Sequence, residues 1–215
     1  MTTVITNLYD KLIKEIRNAN EIWVAVALIN LDGLNMIIDN LKSTCCQNFL
    51  LGIDLPTDPR ALKKINELQL ISNTKVRIYT EKEFYHPKIY LIKKGNRFSA
   101  FVGSSNCTAG GLYKNIELSI YINEQNTCKQ LKEWFDEYFS AGKPLSQLFI
   151  DNYQVDYTNR LKRKKQDENT IKQGKLLLNK EFEAFLSEKS EFLKVLRKYR
   201  KGNFYLLCPH RGTSA

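Results

Sequence analysis

Long apolar runs are missing from this 215-residue chain, and so is the roughly 20-residue stretch that a membrane-spanning helix needs. The start, "MTTVITNLYDKLIKEIRN", lacks the extended apolar core of a signal peptide, so the expectation is a cytoplasmic protein with no membrane partner. Histidine is scarce, with only His86 and His210, and Cys45, Cys46, Cys107, Cys128 and Cys208 form no CxxC pair. A structural zinc site is therefore not expected, and the odd cysteine count fits reduced thiols better than a disulfide framework. No internal repeat and no low-complexity tract interrupts the chain.

What is present is a hydrophobic fraction of 43%, enough for a sizeable core, and a net charge of +10. The charge is uneven. Residues 1–156 carry 18 Lys and Arg against 17 Asp and Glu, whereas residues 157–215 carry 15 against 6.

The first 80 residues alternate two periodicities, predicting helix 5–17, strand 21–28, helix 32–43, strand 48–53, helix 59–70 and strand 75–80. "EIWVAVAL" and "FLLGI" are apolar almost without a break, as in strands covered on both faces. This βαβ rhythm predicts a largely parallel sheet flanked by helices. In "TDPRAL", Asp58 stands as N-cap and Pro59 as first helical residue. A hairpin follows, "KIYLIK" and "RFSAFV" around Lys94, Gly95 and Asn96, and makes the sheet mixed; then come a loop and the strand "NIELSIYI". A helix near 126–140 stops at Gly142 and Pro144, which places a domain boundary at about 150. Beyond it, residues 151–215 read as a basic, mostly helical appendage. Phe182, Phe185 and Phe192 are expected to pack an α-hairpin core, and "FYLLC" reads as a short strand.

The hairpin draws polar groups to one end of the sheet. A three-residue turn at 94–96 pairs residues whose numbers sum to about 190, placing His86 opposite Ser104 and Lys88 opposite Val102. His86 and Lys88, two apart in an extended segment, share a face. Ser104 and Asn106 emerge at the same end. Lys88, Ser104 and Asn106 can donate to the anionic oxygens of a phosphoryl group while the His86 imidazole attacks. Glu117, on the polar side of the next strand, is placed to hold the other imidazole nitrogen. Each residue has an ordinary reading when taken alone: a structural histidine, a surface lysine, a turn asparagine, a solvated glutamate.

Taken together, His86-Pro87-Lys88, then Gly103-Ser104-Ser105-Asn106, then Glu117 resemble the phospholipase D superfamily, whose mark is HxK, a G-S-x-N segment and, in its nuclease branch, a downstream glutamate. The spacings are similar to those of its metal-independent restriction endonucleases. The wider superfamily carries an aspartate six positions after the lysine; here that position is Lys94, which speaks against a lipid-hydrolysing member.

The resemblance implies a phospholipase D-like α/β fold over residues 1–150, a phosphohistidine intermediate and no metal or other cofactor. It implies catalysis by two HxK motifs. This chain has one, because His210 is followed by Arg211 and Gly212, so a homodimer with a composite site is expected. The excess charge points to nucleic acid over lipid as substrate, DNA or RNA, with DNA the expected partner ahead of RNA. Arg160, Lys162, Arg163, Lys164 and Lys165 are candidate contacts, their other reading being a solvated helix face. Two alternatives stay open: a phospholipid or small phosphodiester hydrolase, and a silent nucleic-acid-binding subunit of a restriction or defence complex, in which a partner protein supplies target recognition.

Overall fold

The computed structural model of the chain describes residues 2–200. The expected strand at 204–208, Cys208 and His210 lie outside the described residues, as do the side chains of Lys164 and Tyr199.

The order of elements is β1 (Thr2–Ile5), α1 (Leu8–Ile16), β2 (Glu21–Val26), α2 (Leu31–Ile38), β3 (Cys46–Leu51), α3 (Pro59–Ile71), β4 (Thr74–Ile78), β5 (Lys88–Lys94) and β6 (Arg97–Gly103). A π-helical turn (Gly110–Lys114), β7 (Ser119–Ile122), α4 (Gln125–Ala141), β8 (Lys143–Pro144) and α5 (Gln147–Arg200) complete it. Among the described residues, all eight strands form one sheet in the order β1-β7-β6-β5-β2-β3-β4-β8.

Among the described strands, parallel pairing is confined to β2–β3 and β3–β4, where helices α2 and α3 make the crossovers. The pairs β2–β5, β5–β6, β6–β7, β1–β7 and β4–β8 are antiparallel. The sheet is therefore mixed but not largely parallel, since the apolar runs of β2 and β3 signal burial on both faces without fixing strand direction. Strands β1 and β8, too short to show a period, cap the two edges of the sheet.

Alternation along the central strands divides the core in two. Ile22, Val24 and Val26 of β2, Phe49 and Leu51 of β3, and Tyr90 and Ile92 of β5 pack with Leu8, Leu12 and Ile16 of α1, Leu34 of α2 and Leu62 of α3. Trp23 and Ala25, Leu50, and Ile89 and Leu91 face the other way and pack with Cys128 and Phe135 of α4. This period-two division is what a strand with both faces covered imposes.

At the start of α3, Asp58 caps as its sequence context predicts. Its carboxylate accepts the Arg60 N–H at 2.9 Å and the Arg60 guanidinium at 2.8 Å, and it accepts the Leu31 N–H from α2 at 3.4 Å. Burial opposes the charge on Asp58, but the Arg60 side chain and the two N–H donors outweigh it, and the carboxyl is held below its ordinary value. The stabilisation is therefore complete above the unfolded carboxyl pKa and is lost as pH falls through the lower folded value. Asp58→Ala is expected to cost roughly 1–2 kcal/mol, read at neutral pH as a lower urea midpoint with an unchanged slope.

Contacts divide the chain into one unit over Met1–Leu161 and another beginning at Lys162. The first turns of α5 belong to the first unit, where Ile150 and Tyr153 are buried in its core. In the second unit a single helix replaces the expected α-hairpin. Phe182, Phe185 and Phe192 are exposed on it, as are Ile171 and Leu178. No Gly-Pro or similar break interrupts 147–200, and lone Gly174 within good helix formers only weakens a helix. Among the described residues, no helix is long and apolar enough to cross a membrane.

Candidate active site

His86 lies in the irregular strap between β4 and β5, and Lys88 is the first residue of β5, paired with Val26 of β2. The hairpin register differs from the expected one by a single residue. Gly95 takes a positive φ of 55°, so the turn has two residues, Lys94 pairs with Arg97, and Ile89 pairs with Val102. In a continuous ladder that slip would send Ser104 to the wrong face. The chain avoids this by leaving the ladder at Gly103, the last residue of β6. A Cβ on Gly103 would come within 2.2 Å of the Leu118 carbonyl oxygen, so only glycine permits the close approach.

From there the loop folds back across the end of β2. The Leu28 N–H donates to Asn106 Oδ1 at 3.1 Å, the Cys107 N–H donates to the Leu28 carbonyl at 3.1 Å, and the Asn30 N–H donates to the Cys107 carbonyl at 3.1 Å. With Oδ1 committed to Leu28, the Asn106 amino group is the part free to meet a ligand. The π-helical turn packs behind this loop. A Cβ on Gly111 would stand 2.4 Å from the Asn106 carbonyl oxygen, which explains a glycine there.

Four expected residues thus converge: His86, Lys88, Ser104 and Asn106, with Gly103, line one open cleft of about 390 Å³. Lys88 is buried and His86 is exposed at the rim. The Lys88 ammonium stands 2.7 Å from Nδ1 and 2.9 Å from Nε2 of His86, and it donates to the His86 carbonyl at 2.9 Å. Burial, and then the Lys88 charge, push the His86 pKa below its ordinary value, which favours the neutral, nucleophilic imidazole. Burial lowers the Lys88 pKa, and the nearby Glu117 charge opposes that shift.

Glu117 sits in the extended segment before β7, not within a strand. It accepts a short hydrogen bond from the Ser104 hydroxyl and a longer one, 3.3 Å, from the Asn115 amide. The expected contact to the His86 ring is not made; Lys88 stands against both ring nitrogens instead. Ser104 also accepts the Leu118 N–H at 3.1 Å, so its hydroxyl is tied to the Glu117 segment.

The basic run is divided. Arg160 belongs to the first unit and donates to the backbone carbonyl of Ile53 at 2.5 Å and to that of Asp54 at 3.1 Å, a role its sequence context did not reveal. Lys162, Arg163 and Lys165 are exposed on α5. One exposed aromatic was passed over in the sequence: Phe84, whose ring lies 5.6 Å from that of His86. Its parity with His86 and Lys88 in an extended segment was the available signal.

A cleft lined by an imidazole, an ammonium, a carboxamide and a hydroxyl, at the end of a mixed sheet packed on both faces by helices, is suited to a phosphoryl group and fits an enzyme of the phospholipase D type. The chain belongs to the phospholipase D-like family: the family model described as "Cardiolipin synthase, PLD-like domain" matches residues 9–139. In structure it is similar to Nuc from Salmonella typhimurium, a phospholipase D family member, with a TM-score of 0.55 at 16% identity, covering 67% of this chain and 98% of that one. NucT from Helicobacter pylori is similar at a TM-score of 0.52 and 16% identity, again over 67% and 98% of the two chains. No curated protein matches the sequence.

Proposed function

We propose that the chain is a homodimeric, metal-independent nuclease that cleaves DNA in preference to RNA through a phosphohistidine intermediate, in bacterial restriction or defence. The observation that carries this reading is the cleft itself, which holds one neutral-leaning histidine against a buried lysine in a sequence with a single HxK motif. One imidazole cannot be both nucleophile and general acid in the same step. A two-fold axis through the cleft supplies the second as His86 of the partner subunit. Phe84, Ile116 and Leu118, exposed apolar neighbours of His86, Glu117 and Ser104, suit burial against a second copy.

In the proposed reaction the neutral imidazole of one His86 attacks phosphorus as the bond to the leaving oxygen breaks. The partner's His86, protonated, gives its proton to that oxygen. The same imidazole, now neutral, takes a proton from water, which attacks phosphorus and releases the first histidine. Lys88 and the Asn106 amino group hold the non-bridging oxygens, and Glu117 fixes the Ser104 hydroxyl beside them. Lys162, Arg163 and Lys165, exposed on α5, offer basic groups to a polyanion in their own right, while a partner protein selects the target.

The test is cleavage of fluorescent single- and double-stranded DNA and RNA in excess chelator, from about pH 5 to 8. Cleavage in chelator with a bell-shaped pH profile is expected, with a loss of at least about a thousandfold in His86→Ala. A dimeric preparation that cuts none of these substrates overturns the reading.

A further inference from the structure

Nothing in the strap that carries His86 is regular secondary structure, and Glu81, Lys82, Glu83 and Phe84 within it are exposed. Its position is set at Tyr85. The Tyr85 ring is buried, stacks on Tyr79 at 4.8 Å between centroids, and fills the space a side chain at Gly52 would need. The Tyr85 N–H, one residue before His86, donates to Asp54 Oδ2 at 2.8 Å. On the far side of His86, the Pro87 carbonyl accepts the Ala27 N–H at 3.0 Å.

Asp54 stands in the loop after β3 and is itself tied down from α5. Arg160 donates to the carbonyls of Ile53 and Asp54, and its Nε donates to Asp156 Oδ2 at 2.6 Å. Two turns earlier on the helix, the Tyr153 hydroxyl donates to the Thr57 carbonyl at 3.0 Å, closing the other end of the loop. The Thr57 hydroxyl donates back to the Gly52 carbonyl at 2.8 Å.

We infer that Asp54 is a positioning residue for His86, holding the strap by its Tyr85 N–H, and that Arg160 positions Asp54 from the C-terminal helix. This deepens the nuclease reading and rests on it for the role of His86. Asp54 touches neither the cleft nor a phosphoryl group; it acts through backbone placement. Losing it leaves the N–H of a buried residue without an acceptor, and the strap relaxes to satisfy it. A nucleophile displaced by about 1 Å loses on the order of a hundredfold in rate.

The test uses the full chain with labelled histidine, the His86 imidazole resonance being assigned by its disappearance in His86→Ala. In Asp54→Ala that resonance is expected to shift or split. On bis(p-nitrophenyl) phosphate, kcat is expected to fall about 10- to 100-fold while KM stays within about threefold. Asp54→Asn, whose carboxamide oxygen still accepts the Tyr85 N–H, recovers most of both signals, and Arg160→Met moves both in the direction of Asp54→Ala. An unchanged resonance and kcat in Asp54→Ala overturn the inference, as does an Asp54→Asn chain as damaged as Asp54→Ala. Should Asp54→Ala fail to fold, Arg160→Met decides: wild-type values there remove the link. If the wild-type chain leaves both the ester and nucleic acid intact, the nuclease reading fails while the resonance still reports whether Asp54 places His86.

Discussion

When wild-type chain is mixed and re-equilibrated with about a threefold excess of His86→Ala chain, its activity is expected to fall to about one quarter, although no wild-type chain has been removed. Random pairing leaves only about one dimer in sixteen with two intact histidines, and the total number of dimers has risen about fourfold. The proposed composite site is the reason. Attack by one imidazole leaves the departing oxygen without a proton donor unless the second His86 faces it, and this chain has no other HxK motif to provide one. Chains that work singly would keep all their activity under the same dilution, and that result would end the two-fold model. The exposed Ile116 gives a second handle on the proposed dimer, since a charged residue in its place should separate the copies without touching a group that handles phosphate.

Which residues meet in the cleft was legible because their motifs are local. His86 and Lys88 are two apart, Gly103 to Asn106 are consecutive, and each pattern survives an error in the elements around it. What joins them was not legible. The one-residue register slip comes from a turn that closes on Gly95 and Asn96, and turn length cannot be read from two flanking apolar runs that fit either count. Asn106 reaches the cleft through Leu28, a contact 78 positions away in sequence that no periodicity announces. Glu117 bonds Ser104 and not the imidazole because its segment has left the ladder before β7 begins. Arg160, the first of a basic run, was expected to meet a polyanion; it is held inside the first unit by two carbonyls, which composition cannot distinguish from a phosphate. Helix α5 was divided in thought because apolar residues at helical spacing ordinarily fold back on a neighbour, yet within this chain Phe182 and Phe185 remain exposed.

Replacing Lys88 with methionine, close in volume but without charge, is expected to lower kcat by about a hundred- to a thousandfold, the scale of losing one preorganised donor to a developing anionic centre. The substitution should also displace the acid limb of the pH profile. Burial depresses the His86 pKa first and the Lys88 charge depresses it further, so removing the charge raises it back toward the ordinary imidazole value while the burial contribution remains. Because the attacking imidazole must be unprotonated, a higher pKa means that a higher pH is needed to reach the same rate, and the limb moves to the alkaline side. Lys88 is buried where Val26 and the His86 carbonyl close around it, so arginine, longer and planar, does not fit the same place and should restore charge without restoring kcat. Activity within a few-fold of wild type in Lys88→Met, or a limb that moves to lower pH, would show that the ammonium neither holds phosphate nor tunes the histidine beside it.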